Sequence, residues 1–239
     1  MTKLRAALIA DPLIVLATIF MGTVSLAASL FDSTGRAQHA VARAWARMLL
    51  RIAGARVTVE GLDRLARDGS YVIASNHESY MDIPLLMAHL PLQFRFMAKK
   101  SLFRIPFIGF HLKRAGHIPV LREDPRSALR SSAEAARVVR ERGVSVLVFP
   151  EGGRNPKGVR EFKEGAAYIA IKAGVPIVPV SIAGARAMLP MESLLVRPAS
   201  VRLSVGEPIP TAGLTIHDRG RITAQVRDRV IAAAGEGGL

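Results

Sequence analysis

The sequence predicts an α/β fold: a mixed, largely parallel sheet flanked by helices, with an N-terminal helical element that associates with membrane. From Arg56 onward, short runs rich in β-branched residues alternate with helical patterns. Ahead of them lies an uncharged apolar run of twenty residues, Pro12 to Phe31. The chain also carries a net charge of +14 over 239 residues, half of them hydrophobic, so a substantial core coexists with a strongly cationic surface.

The elements follow in order. As a helix at 1.5 Å per residue, PLIVLATIFMGTVSLAASLF covers about 30 Å, the thickness of a bilayer core. A cleaved signal peptide is the competing reading, because SLAAS resembles a cleavage region, but the run is long for one. In QHAVARAWARMLLRIAG, the residues Val41, Ala44, Trp45, Met48, Leu49 and Ile52 share one helical face, and Arg43, Arg47 and Arg51 share another. The helix is either a surface helix with a solvated basic face or an interfacial one, with arginines toward lipid phosphate. Arginine is denser after the apolar run than before it, which favours a cytoplasmic position for the globular part.

The division expected is 1–55 for the membrane-associating helices and 56–239 for the α/β domain. RVTVEG, YVIAS, FRFMA, HIPVL, SVLVF, PIVPVSI and VRLSV read as strands. One helix follows Asp82, and a second runs over Ile105 to Ala115. A third extends from Pro125 to about Arg142, capped by Asp124 and stopped by Gly143, with Leu129, Ala133, Ala136 and Val139 facing inward. A fourth spans Gly165 to Ala173, and a last one runs from His217 to Ala234.

Composition and motifs narrow the chemistry. The chain has no cysteine, so disulfides, Cys-ligated zinc and a thiol nucleophile are excluded. Three Tyr, nine Phe and one Trp supply little for base stacking, so the positive charge points to a membrane or a phosphate rather than to nucleic acid. There is no G-x-S-x-G elbow and no H-E-x-x-H, and Val159 stands where a P-loop needs lysine. The histidines show no metal-ligand spacing, and neither a metal nor a cofactor is expected.

NHESYMD, Asn76 to Asp82, stands at a strand-to-helix junction. On one continuous helix His77 and Asp82 would lie roughly 140° apart. They meet only if His77 sits in the turn and Asp82 in the first helical turn, with Ser79 as the N-cap. A neutral histidine oriented by a carboxylate is then a general base.

NHESYMD resembles the N-H-x-x-x-x-D block of the glycerolipid acyltransferases, specifically the bacterial 1-acyl-sn-glycerol-3-phosphate acyltransferase family. Ala98 to Arg122 resembles the second block of that family, which ends in arginine. FPEGGRN, Phe149 to Asn155, is similar to the third, F-P-E-G-T-R-S, and VPIVPV, Val175 to Val180, to the fourth. Order and spacing agree from about residue 55 to residue 210.

The resemblance implies a glycerol-3-phosphate acyltransferase-like fold and acyl transfer from acyl-ACP or acyl-CoA to a lysophosphatidate hydroxyl, giving phosphatidic acid. It implies His77 as base, Asp82 as its orienting partner, and Arg122 with Glu151, Gly152, Gly153 and Arg154 around the acceptor phosphate. Arginine forks and backbone N–H groups suit a phosphate monoester. Glu151 would repel it and is expected to orient Arg154 or bond a hydroxyl. Two departures, Gly153 for threonine and Asn155 for serine, leave another lysolipid, such as a lyso-ornithine lipid, open as the acceptor. A noncatalytic membrane adaptor would share the charge and the anchor but not the four ordered blocks.

Overall fold

The computed structural model describes residues 3–121, 123–155 and 158–235. Its centre is a seven-stranded sheet in the order β1-β7-β6-β2-β5-β3-β4. The strands are β1 (Arg56–Glu60), β2 (Val72–Ser75), β3 (Phe94–Lys99), β4 (Ile118–Val120), β5 (Ser145–Val148), β6 (Ile177–Ala183) and β7 (Ser200–Val205). Each coincides with one of the seven runs read as strands. Pairing is parallel except between β6 and β7, so β1 and β7 run against the other five.

The position of each strand follows from its sequence. β2, buried along its whole length, reads VIAS and takes the centre, covered on both faces. β1 alternates exposed and half-buried positions and forms an edge.

Successive side chains of β2 divide between two cores. Ile73 joins a cluster with Leu85 and Leu86 of α4 (Asp82–His89) and Leu49 and Leu50 of α3 (Arg36–Ala53). Val72 and Ala74 join the opposite one, with Ala135 and Val139 of α6 (Pro125–Arg142), Ala167 and Ile169 of α7 (Gly165–Ala173), and Val226 of α9 (Arg219–Gly235). Period-two alternation thus sets the two layers of helices. Because α3 supplies Ala46, Leu49, Leu50 and Ala53 to the first cluster, the sheet and the N-terminal region share one core across residue 55.

Ahead of α3, a short α1 (Lys3–Arg5) and a π-helical stretch, Ala6–Ala10, lead into α2 (Asp11–Ala28). The helix Ala6–Ala28 is 23 residues long and, by length and composition, apolar enough to cross a membrane. It packs along α3, where Trp45 donates to Thr18 Oγ1 at 3.1 Å, and Ser25 Oγ lies 3.3 Å from His111 Nδ1 on α5 (Ile108–Arg114). A single-turn helix, α8 (Ala185–Met188), follows β6.

Several local expectations are corrected. The inward stripe of α6 is Ser132, Ala135, Ala136, Val138 and Val139, while Leu129 and Ala133 face outward. Both sets obey three- and four-residue spacing, and alanine marks neither face strongly. The caps of α6 are as expected: Asp124 accepts from the Arg126 N–H, and Gly143 takes φ 60°. On α3, Ala44 is exposed, and the buried stripe runs through His39, Ala46, Leu50 and Ala53. Arg43 is no solvated cation: it donates to the carbonyls of Leu90 and Leu92 at 2.8 and 2.9 Å. The second expected helix starts only at Ile108, since Pro106 and a positive φ at Phe107 interrupt it. The last helix starts at Arg219, after a 3-10 turn capped by Thr215.

Candidate active site

The site forms at the carboxyl ends of the two adjacent central strands β2 and β5. After β2 the chain crosses one face through α4 to β3; after β5 it crosses the other through α7 to β6. Connections that diverge from neighbouring strands open a crevice at those ends, where ligands bind in open α/β sheets.

From β2, the Asn76 amide bonds both backbone groups of Ile182 at 2.8 Å. His77 follows in the turn and Asp82 opens α4. His77 Nδ1 lies 2.7 Å from Asp82 Oδ2, the same oxygen that accepts the N–H groups of Glu78 at 2.7 Å and Ser79 at 3.0 Å. A carboxylate only accepts, so the proton belongs on Nδ1 and Nε2 is left as the basic nitrogen. The Asp82 side chain is wholly buried, whereas 13% of the His77 side chain stays open. Asp82 Oδ1 is also buried, with no hydrogen bond from a described residue. Ser79 does not cap α4. Its Oγ donates to Leu189 O and receives the Met81 N–H, tightening the turn one residue before the helix.

From β5, the Phe149 ring stacks on the His77 imidazole at 4.0 Å between centroids and 14° between planes. Glu151 does not reach Arg154 or the open crevice. Its Oε1 accepts the His77 N–H at 2.8 Å and its Oε2 the Arg160 N–H at 3.0 Å. Burial raises its pKa, while those two N–H bonds act in the opposite direction. The Asn155 N–H bonds the His77 carbonyl at 3.2 Å, and its side chain donates to Gly158 O at 2.7 Å. The β5 loop therefore grips the backbone of His77 at both its N–H and its C=O.

Gly152 has φ 76°, a conformation that favours glycine, and a Cβ there would meet Lys163 Nζ at 3.3 Å. Beside it, Gly153 is half-buried, and the Arg154 guanidinium lies 3.4 Å from the centroid of the Tyr80 ring. Arg122 lies outside the described residues. Lys99 pairs with Glu123 at 3.6 Å, and Lys100 is exposed.

Sequence reasoning missed Glu78 and Arg186. Burial, and then the charge of Asp82, raises the Glu78 pKa. Arg186 approaches Glu78 at 3.9 Å and donates to Asn155 O at 3.2 Å. Glu78 was visible inside NHESYMD as a second acid beside the His77–Asp82 pair. No local signal links Arg186, 108 positions along the chain from Glu78, to the site.

On the α6–α7 side of Phe149 opens a mostly apolar cavity of about 520 Å³, lined by Met97, Leu129, Val148 and Tyr168, with Lys163 and Arg219 among its polar residues. That size is typical of small-molecule sites. Among the described residues, no group of three or more His, Asp and Glu could hold a metal ion.

Known proteins share this fold and much of this sequence. The acyltransferase family model matches residues 56–183. The chloroplastic 1-acyl-sn-glycerol-3-phosphate acyltransferase LPAT1 of Arabidopsis thaliana is 34% identical over 184 residues, covering 75% of this chain and 51% of that protein. The 1-acyl-sn-glycerol-3-phosphate acyltransferase of Borreliella burgdorferi is 32% identical over 190 residues, covering 79% of this chain and 76% of that one. The chain thus spans about half the length of the plant relative and about three quarters of the bacterial one. The crystal structure of the 1-acyl-sn-glycerophosphate (LPA) acyltransferase PlsC from Thermotoga maritima superposes with a TM-score of 0.83 at 27% identity, covering 99% of this chain and 97% of that one. With fold, ordered blocks and relatives in agreement, the chain belongs to the acyltransferase family, together with these 1-acyl-sn-glycerol-3-phosphate acyltransferases.

Proposed function

We propose that the chain transfers a fatty acyl group from acyl-ACP or acyl-CoA to the free hydroxyl of 1-acyl-sn-glycerol-3-phosphate, giving phosphatidic acid. The observation that carries this reading is the His77–Asp82 pair, held at 2.7 Å beside the Glu151–Arg154 turn. His77 Nε2 takes the proton of the acceptor hydroxyl as its oxygen attacks the thioester carbonyl carbon. Asp82 holds the imidazole orientation and stabilises the cation formed in the transition state. Collapse of the tetrahedral intermediate breaks the carbon–sulfur bond, and the departing thiolate takes the proton from His77. Arg154, and Arg122 by its place in the second block, bind the acceptor phosphate through charged hydrogen bonds. Glu151, Gly152 and Gly153 hold the turn that presents Arg154.

The cavity beside Phe149 receives the apolar part of the donor, which arrives from water. The acceptor arrives from the membrane along α2, with the catalytic domain on the cytoplasmic side of the inner membrane. Asn155, one of the two family departures, is engaged in closing its own loop. Incubating the purified protein with a panel of lysolipids and both donors, with products read by mass spectrometry, tests the reading. Phosphatidic acid from lysophosphatidate is expected. Product from a lyso-ornithine lipid alone would overturn the acceptor, and thioester hydrolysis without transfer would overturn the reaction.

A further inference from the structure

We infer that the turn from Leu102 to Phe110 is a second lipid-inserting element, seated beside α2 on the same membrane face. The inference rests on the reading of α2 as the membrane contact. Leu102, Ile105, Phe107, Ile108 and Phe110 are between 38% and 56% exposed, although all are large and apolar. A patch of this kind facing water is unusual in a soluble domain.

The backbone fixes the turn, with Phe107 and Ile108 toward α2 and Leu102, Ile105 and Phe110 exposed beside them. Pro106, Phe107 and Ile108 form a γ-turn in which Ile108 N–H donates to Pro106 O at 2.7 Å, with Phe107 at φ 66°. Phe107 is the only non-glycine residue with positive φ among the described residues. This geometry is rare and strained, and it persists only where the surroundings enforce it. Gly109 closes the turn, since a Cβ there would lie 2.3 Å from the Phe103 carbonyl.

The turn is fastened to α2. A Cβ on Gly22 would lie 2.8 Å from the Phe107 ring, so the ring rests directly on that glycine. Further along, Arg114 Nε donates to Ser29 Oγ at 3.2 Å. Ile19 and Val15, three and seven residues before Gly22, share its side of α2, so these exposed apolar side chains border the turn.

Charge names the occupant. From Ile83 to Arg122 the sequence contains no Asp or Glu, while Lys100, Arg104 and Lys113 flank the apolar turn and are exposed. Cationic side chains around an apolar tip match the headgroup layer of an anionic bilayer and would repel a basic protein partner.

The absence of cysteine makes the test direct. Single nitroxide labels at Ile105→Cys and Phe110→Cys are compared with Phe20→Cys on α2 and Arg130→Cys on α6, on vesicles containing phosphatidylglycerol. Collision rates with oxygen and with a water-soluble nickel chelate report depth. Labels at 105 and 110 should favour oxygen, like that at 20 and unlike that at 130. Labels at 105 and 110 that favour nickel while 20 favours oxygen would sink this inference and leave α2 in the membrane. Nickel preference at all four would sink both. Ile105→Ser combined with Phe110→Ser should weaken vesicle partition by about tenfold or more; unchanged partition would also overturn the inference.

Discussion

On one side of the sheet the outermost layer is α2 with the 102–110 turn, presenting Leu16, Phe20 and Phe110 to the surroundings. On the other side, α6 and α9 present ion pairs: Arg137 with Glu134 and Glu141 at 2.7 and 2.8 Å, and Arg219 with Glu164 at 2.6 Å. The layers beneath differ too. The first side encloses His39, His117 and Arg95, whereas the second packs mostly alanine, valine and isoleucine. Apolar outside with polar groups inside suits contact with lipid, and the reverse suits water. His77 sits in the crevice where the connections to the two sides part, which suits a reaction joining a membrane substrate to a soluble one.

If the crevice carries the chemistry and neither side does, His77→Ala should lower turnover by about 10² to 10⁴. Its denaturation midpoint and vesicle partition should stay at their original values. Undiminished acyl transfer would remove His77 from the mechanism.

The next largest effect separates the sides by pH. Burial pulls the His39 pKa down to about 4, with the Arg43 and Arg95 charges adding to it, and burial also lowers His111 and His117. A depressed histidine pKa leaves stability whole above the unfolded value of about 6.5. Stability is then lost as pH falls toward 4, because only the unfolded chain takes up the proton. Each such histidine adds a slope of up to about 1.4 kcal/mol per pH unit. Denaturant titrations from pH 7 to pH 4 should show the loss, and His39→Gln should flatten it. Glu78 and Glu151, whose pKa values are raised, act in the opposite direction, so the difference between the two proteins is the informative quantity.

Arg154→Ala should cost about 1.5–3 kcal/mol in transition-state binding, roughly ten- to hundredfold in kcat/KM for lysophosphatidate. The loss should fall on the acceptor KM, with the donor KM little changed and lysine restoring only part. Equal effects on both substrates would place Arg154 elsewhere in the reaction. Gly153→Thr should preserve or improve use of lysophosphatidate. Smallest of all, Arg137→Ala on the water side should move the melting temperature by less than about 2 °C, since exposed ion pairs contribute little. A larger fall would mean that this side depends on its surface charges.

The strands were legible because their β-branched runs are short and bounded, and α6 because Asp124 and Gly143 mark its ends. The proximity of His77 and Asp82 could be argued from a junction geometry only five residues long. What escaped was set by pairing at a distance. Glu151 meets the His77 backbone because β5 lies beside β2, a neighbour relation that no local pattern encodes. Arg43 looked like one cation of a regular basic face, yet the carbonyls of Leu90 and Leu92 turn it inward. Leu129 was misplaced for a different reason: in an alanine-rich helix two offset stripes satisfy the same period.

The Asn76 amide, bonded to both backbone groups of Ile182, ties the histidine to a strand that follows it by 106 residues. A slip of β6 by one residue would turn Ile182 to the opposite face and forfeit both bonds. Synthesis begins at the other end, so His77 leaves the ribosome long before β6 has been made. Until then the turn that carries it has only its local bonds to Asp82, and the β5 loop that clamps its backbone has not closed over it. A half-made chain thus holds a histidine whose turn still lacks two of its anchors. On the proposed function, acyl transfer would begin only when the middle of the sheet has been zipped in the right frame, and its onset would report that event.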